Sequence, residues 1–363
     1  MCSGKIYDRA EDADIDITKS VDLVANLFNR KSSFYTERQL FPYVKESELR
    51  LDLMPKIKNM AITHHPKHPW KNMTDMEILK SAGLYEEDKI KGTEGFNLAS
   101  VLLLGTDDVI RSCAPAYVTD ALLRKENLDR YDDRLMVSTN LIESHDLLMG
   151  FIEKHTLDKF FLIGDQRVSV RSWIARELVS NILIHREYAS AFPAKIVIEN
   201  DKIYTENWNR ALRYGKIDPE NFTPYPKNPI IARFFVNIGL SDQLGSGVRN
   251  LYKYTKIYSG QEPELIEGDV FKTIIPLNNP TTNSPTNVVE KMGELLTDVE
   301  SDFLEKIKHY FENNEWINTL TASELSDKSV TSVKRYLKKL SDFKILEAQG
   351  NTKNRLYRLN KTE

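Results

Sequence analysis

The chain has 363 residues, 41% of them hydrophobic and 28% charged, with a formal net charge of −3. That length allows two or three domains, and that balance is an ordinary soluble one, which excludes a protein that is basic over its whole surface. Two isolated cysteines, Cys2 and Cys113, make neither a disulfide framework nor a metal cluster and fit a reducing cytoplasm.

No apolar run reaches about 18 residues, and no charged stretch precedes an apolar one as in an export signal. A cytoplasmic chain without a membrane partner is therefore expected. At the start, "GKIYDR" predicts a lone strand with nothing before it to pair with. Either a preceding part of a longer protein completes it, or it joins a later sheet. The following "AEDADIDIT" reads as a polar loop. Its Asp12, Asp14 and Asp16 have the spacing that opens a calcium loop. Ile17, however, stands where the sharp-turn glycine belongs, and Leu23 where the bidentate glutamate belongs, so a solvated loop is expected.

Residues 18–158 read as mainly helical. "TDME" is a capping box opening a helix that Gly83 closes. "ASVLLLG" is a short buried segment whose periodicity does not decide between helix and strand. "VSTNLIESHDLLMGFIEKH" is an amphipathic helix. "HHPKHPW", with His64, His65 and His68, reads as a loop, and neither cysteine nor carboxylate completes a metal site there.

From 159 to 277 the pattern changes. "KFFLIGD" predicts a strand, "RELVSNILIHREY" a helix, and "AKIVIEN" with "KIYTEN" a hairpin around Asp201. "NPIIARFFVNIGL" and "GSGVRNLYKYTKIY" predict two further helices, and "VFKTIIPL" a closing strand. Such alternation indicates an α/β sandwich with a mixed sheet. Residues 278–296 begin with "NNPTTNSPTN", a linker composition.

Residues 297–363 predict three helices and a hairpin with Gly350 and Asn351 near its turn, the pattern of a winged helix-turn-helix whose third helix enters the major groove. Thr321 is the expected cap of the second helix. Val330, Val333, Tyr336, Leu337 and Leu340 are expected to point inward. Ser329, Thr331, Ser332, Lys334, Arg335 and Lys339 are expected to face out, with Lys353, Asn354 and Arg355 on the wing. From Lys328 to Lys361 only Asp342 and Glu347 oppose a run of basic residues, so one local basic face for double-stranded DNA is expected.

The helix "RELVSNILIHREY" poses the central problem. Apolar residues surround nearly its whole circumference, so it should be buried, yet Glu177, Asn181 and His185 fall four apart on one stripe. A buried carboxylate or amide is costly unless it is matched. A satisfied polar network is one explanation and a binding site the other. In "QLGSGVRN", Gly245, Ser246 and Gly247 open a helix whose N–H groups can face an anion. In "PKNPIIARFF", Lys227 and Asn228 precede another helix, where a lysine is unfavourable unless an anion is near.

Glu177, Asn181 and the later "GSG" resemble the nucleotide-binding fold of gyrase B, histidine kinases and the mismatch-repair protein MutL. More closely, "REL…N…IHREY…KIVIENDKIYTEN…NPIIARFF…IGL…D…GSGVRNLYK" resembles a bacterial family labelled "RecG-like helicase C-terminal", over roughly residues 90–280. Its members carry an N-terminal AlbA/Schlafen-like domain, of which residues 1–17 would be the remnant, and a C-terminal winged helix. The resemblance implies an α+β chain with a GHKL-like ATP-binding domain at 159–277. It implies that Asn181 ligates Mg²⁺, that Glu177 orients the attacking water, and that Lys227, Asn228, Gly245, Ser246 and Gly247 line the nucleotide. Where the relatives have Asp-x-Gly-x-Gly for adenine, this chain reads "TENWNRAL". It also lacks G-x-x-x-x-G-K-[ST], so it is no P-loop helicase. The expected function is an ATP-binding, DNA-binding transcriptional regulator that forms a homodimer. The alternatives are an ATPase acting on nucleic acid, or a degenerate scaffold for dimerisation without nucleotide.

Overall fold

Seven strands form one mixed sheet in a computed structural model of the chain. It describes residues 4–10, 13–31, 35–89, 92–126, 130–163, 166–209, 211, 214–220, 225–242, 245–277, 286–287, 298–311, 314–342, 345–350 and 355–359. In chain order the first elements are β1 (Tyr7–Ala10), β2 (Ala13–Asp16), α1 (Val21–Lys31), β3 (Leu40–Phe41), α2 (Met54–His64), α3 (Asp75–Ser81), β4 (Tyr85–Asp88), β5 (Thr93–Asn97), α4 (Leu98–Leu104), α5 (Asp107–Cys113), β6 (Thr119–Leu123), β7 (Asp133–Val137) and α6 (Leu141–His155). There follow β8 (Phe161–Ile163), β9 (Gln166–Val168), α7 (Val170–Ile184), β10 (Ala194–Ile198), β11 (Lys202–Trp208), β12 (Gly215–Lys216), α8 (Pro229–Asn237), α9 (Ser246–Ser259), β13 (Glu264–Glu267) and β14 (Val270–Pro276). The last are β15 (Thr286–Asn287), α10 (Asp298–Phe311), β16 (Ile317–Asn318), α11 (Thr319–Ser326), α12 (Val330–Asp342), β17 (Leu346–Gln349) and β18 (Leu356–Leu359).

The chain divides into two units. The larger holds Met1–Leu157 and Arg171–Asn279, the smaller Asp158–Val170 and Pro280–Glu363. The large sheet has the order β12-β13-β14-β11-β10-β6-β7, with β10 and β6 parallel and the other pairs antiparallel. Its register explains its two faces. Leu265, Thr273, Thr205, Ile196 and Ala121 stand in one row across five strands, and all are buried. The next row points the other way and is polar: Glu206 pairs with Lys272 at 2.8 Å, and Asp120, one strand beyond Lys195, with Arg134 at 2.8 Å. Period-2 alternation of this kind marks a sheet with one covered face.

The fold is thus α+β with a large mixed sheet, but the boundary expected at 158/159 is not where the units part. β6 and β7, inside the region expected to be helical, belong to the large sheet, and β3, β5 and β4 form a second sheet there. The β8–β9 hairpin instead belongs to the smaller unit, where β8 pairs in parallel with β15. Most of the expected linker, 278–296, lies outside the described residues. "GKIYDR" is not a lone strand, because β1 pairs antiparallel with β2 from the segment expected to be a loop. Asp16 takes hydrogen bonds from Thr18 and an ion pair from Lys5, which hold its carboxyl at about 2; these partners account for it without calcium. The undecided "ASVLLLG" is helix α4, wholly buried and capped by Asn97. The capping box at Thr74 and Glu77 forms as expected.

In the smaller unit, Phe303, Leu304 and Ile307 of α10 share a core with Val333, Tyr336, Leu337 and Leu340 of α12 and with Leu346 and Tyr357 of the sheet β16-β18-β17. Two expectations fail locally. Val330, expected inward, is 37% exposed at the first residue of α12. The cap of α11 is Asn318, which accepts from Thr321 N at 2.8 Å. Among the described residues no helix is long and apolar enough to cross a membrane.

Side chains from distant segments fix both ends of the α7–α8 region. The carbonyls of Ile184 and Arg186 accept from Asn228 Nδ2 at 2.8 and 2.7 Å, and that of His185 accepts from Asn207 Nδ2 at 2.5 Å. Arg186 lies against the rings of both Tyr117 and Tyr188, which also touch each other, and donates to Val118 O and Thr119 Oγ1 at 3.2 Å, tying the turn after α7 to β6. Since the Asn228 amide is engaged with α7, it does not cap α8, of which it is the N-cap residue. Glu37 does so instead. Its carboxylate accepts from Ile230 N at 2.7 Å and Ile231 N at 3.0 Å and is fully buried. Burial pushes this carboxyl up to about 7, against the pull of the two N–H groups and of Arg233.

A carboxyl raised from its ordinary 4.5 to about 7 contributes stability that is complete below 4.5 and lost as pH rises through 7. Glu37→Gln removes that titration. The stability of the variant relative to the wild type should therefore rise between pH 5 and 8, by at most about 3 kcal/mol. Chemical denaturation at both pH values reads this difference. An equal difference at both pH values would contradict it. His185 titrates in the opposite sense in both proteins and cancels.

Candidate functional site

Helix α7 is buried along most of its length, with Ile174, Ala175, Leu178, Val179, Ile182, Leu183 and Ile184 all 3% exposed or less. Its polar stripe faces the start of α9. Gly245, the N-cap of α9, has φ +92°, a left-handed conformation that favours glycine, and no side chain with which to cap the first turn. Gly247 lies against both stripe residues: a Cβ there would stand 3.0 Å from Glu177 Oε2 and 3.6 Å from Asn181 Oδ1. Residues predicted from separate motifs, Glu177 and Asn181 on one side and Gly245, Ser246 and Gly247 on the other, thus meet.

Glu177 is 2% exposed and is held by residues that the sequence did not single out. Asn250 Nδ2 donates to Glu177 Oε1 at 3.2 Å and to Asp242 Oδ2 at 2.8 Å. Arg176 lies 3.5 Å from Glu177 and 3.2 Å from Asp242. Asn250 follows Gly247 by three residues, so the helical period puts it on the same face of α9; that was the available signal. The Asn181 amide, by contrast, has no hydrogen-bond partner among the described residues. The cluster sets one cation against two carboxylates, so an anion settling there would need a cation with it. Burial, with Lys227 adding to it, pulls the His185 imidazole down to about 4, so it is neutral at pH 7.

Two predicted nucleotide residues are engaged elsewhere. Lys227 pairs with Glu267 at 3.1 Å and lies over the Tyr225 ring. Asn228 holds the α7 carbonyls, and Glu37 already provides the carboxylate at the α8 N-terminus. The anion inferred from a lysine at a helix start is therefore the protein's own. At "TENWNRAL", where adenine recognition would be sought, Glu206 pairs with Lys272, Asn207 holds His185 O and Asn209 donates to Gly268 O at 2.7 Å. His68, from the histidine-rich loop, bonds Asn237 at 3.3 Å, and among the described residues no cluster of side chains suits a metal ion by itself.

On the smaller unit, Thr331, Lys334, Arg335 and Lys338 are exposed at helical spacing along α12. Lys338 was missed, although it lies four residues after Lys334. Ser329 acts as a cap, its hydroxyl accepting from Ser332 N at 3.3 Å. Lys339, predicted to face DNA, is paired at 2.6 Å with Glu300, a carboxylate 7% exposed on α10. Arg355 is exposed, whereas Lys353 and Asn354 lie outside the described residues.

A family described as a domain of unknown function, DUF8451, matches residues 26–120, a span that holds Glu37 but ends before α7. No match is found among curated proteins. Among solved structures, the chain is similar to the DIP2311 protein from Corynebacterium diphtheriae, with 16% identity over 98% of this chain and 70% of that one and a TM-score of 0.51. At that identity the likeness is one of fold.

Proposed function

We propose that the chain is an ATP-binding, DNA-binding regulator of transcription. The observation that carries the nucleotide half is the half-buried Asn181 amide, unpartnered among the described residues and set beside the glycine-opened first turn of α9. An amide without a protein partner, set beside a helix N-terminus, is placed for a ligand to complete it. In this reading the larger unit is a GHKL-like sandwich, related to the AlbA/Schlafen-type regulators. Asn181 Oδ1 is the hard oxygen ligand for Mg²⁺, and the α9 N–H groups take phosphate oxygens. Mg²⁺ would neutralise phosphate charge beside Glu177 and Asp242. Glu177 accepts a proton from water directed at the terminal phosphate, giving a slow ATPase.

The smaller unit is read as a winged helix, α12 being the helix laid in the major groove and β17–β18 the wing. The exposed row Thr331, Lys334, Arg335 and Lys338 supports duplex DNA as partner. One observation favours a second reading, a dimerisation scaffold without nucleotide: Glu206, Asn207 and the amide nitrogen of Asn209 are engaged within the protein where a base would need them.

Mg-ATP at a hundred times its dissociation constant should add about 2.7 kcal/mol of stability to the wild type in a thermal-shift titration. Asn181→Ala should remove the shift, and Glu177→Gln should keep it. A shift of equal size in Asn181→Ala would reduce the stripe to a structural network, and its absence in the wild type would favour the scaffold.

The full chain should retard duplex DNA with an affinity that falls steeply with salt. Replacing Lys334 and Arg335 together by alanine should weaken binding and flatten the log–log salt slope by about 2. Unchanged binding in the double variant would take α12 out of the interface.

A further inference from the structure

Asn250 and Arg176 are assigned no role by the motifs, yet both hold the same oxygen of Glu177. Asn250 is 6% exposed, and its single amide nitrogen bridges Glu177 Oε1, at 3.2 Å, and Asp242 Oδ2, at 2.8 Å. The Arg176 guanidinium closes the ring from the opposite side, 3.5 Å from Glu177 Oε1 and 3.2 Å from Asp242 Oδ1. One carboxylate oxygen is thereby clamped, and the other faces Gly247. Three elements supply the clamp: α7, the segment after α8, and α9. Behind it the Tyr254 ring packs on Trp173 at 5.1 Å and carries Lys253 over its face. The Glu177 and Asp242 carboxylates, held this close, would repel unless a cation and an amide lay between them.

We propose that Asn250 and Arg176 are positioning residues for Glu177: they fix the plane of its carboxylate so that the oxygen facing Gly247 meets the proton of an attacking water. This rests on the nucleotide reading above. In the step served, the water oxygen bonds to the terminal phosphorus, and the bond from phosphorus to the bridging oxygen breaks. The departing diphosphate keeps that electron pair, and the water proton passes to Glu177 and on to solvent. Neither Asn250 nor Arg176 touches the phosphate or its metal in this arrangement. Their loss should therefore change turnover and leave binding alone.

The test measures steady-state Mg-ATP hydrolysis and Mg-ATP affinity on the full chain. Asn250→Leu keeps the branched shape and removes the amide donor. Its kcat should fall at least tenfold, while the dissociation constant for Mg-ATP stays within threefold of the wild type. Arg176→Gln, which removes the charge but keeps a polar side chain, should give the same selective loss and serves if Asn250→Leu does not fold. A variant that folds and keeps the wild-type kcat overturns the positioning role and leaves the nucleotide site standing. Parallel loss of affinity and turnover overturns it as well, since the residues would then shape the site as a whole. A wild type that binds Mg-ATP without hydrolysing it overturns the positioning role alone, and one that does not bind it overturns both readings.

Discussion

A helix enclosed by protein cannot leave its polar groups to water, and α7 is such a helix. Each polar group on it must find a partner or remain as an unfavourable term of about 1–3 kcal/mol. The structure meets that demand group by group. Ser180 donates to Leu240 O at 2.6 Å, Asn207 and Asn228 take the carbonyls at the C-terminal end, and Asn250 with Arg176 holds Glu177. The Asn181 amide and the His185 imidazole have no hydrogen-bond partner among the described residues, and Asn181, together with Glu177, lies beside the opening turn of α9.

The same demand shapes the neighbouring elements. Because Asn228 is drawn into holding α7, the first turn of α8 depends on a carboxylate from 193 residues earlier in the chain. Glu37 thus links the segment matched by DUF8451 to the helix pair around the candidate site. The two helix N-termini near α7 differ in consequence. That of α8 is closed by the protein's own anion, whereas that of α9 begins at a glycine with no side chain to offer. A ligand anion would reach the second only with a cation to offset Glu177 and Asp242, as the proposed Mg²⁺ would.

How much of this could be read from the sequence depended on the range of the interaction. The burial of α7 followed from apolar residues on every side, and the β10–β11 hairpin from alternation around Asp201. Both are local patterns, and both appear in the structure. β6, "TDALL", could not be recognised as a strand by the same means: it is buried through most of its length, so it lacks alternation, and its pairing with β10 and β7 reveals it. The fate of Lys227 was equally hidden. A lysine before a helix does argue for a nearby anion, but no sequence rule points to Glu267 or Glu37 as its source. On α12 the basic face was legible as a whole, while Lys339 was drawn off it by Glu300, a partner on another helix.

In the proposed function the α7 stripe and the first turn of α9 form one site for metal-bound phosphates. Hydrogen–deuterium exchange of the full chain with and without Mg-ATP addresses it most directly, because the amides said to take the phosphates are themselves the probes. Slower exchange is expected in the peptide covering 245–250, with a smaller effect over 177–185 and none on α8. Unchanged exchange at 245–250 under saturating Mg-ATP, or protection confined to other segments, would contradict it.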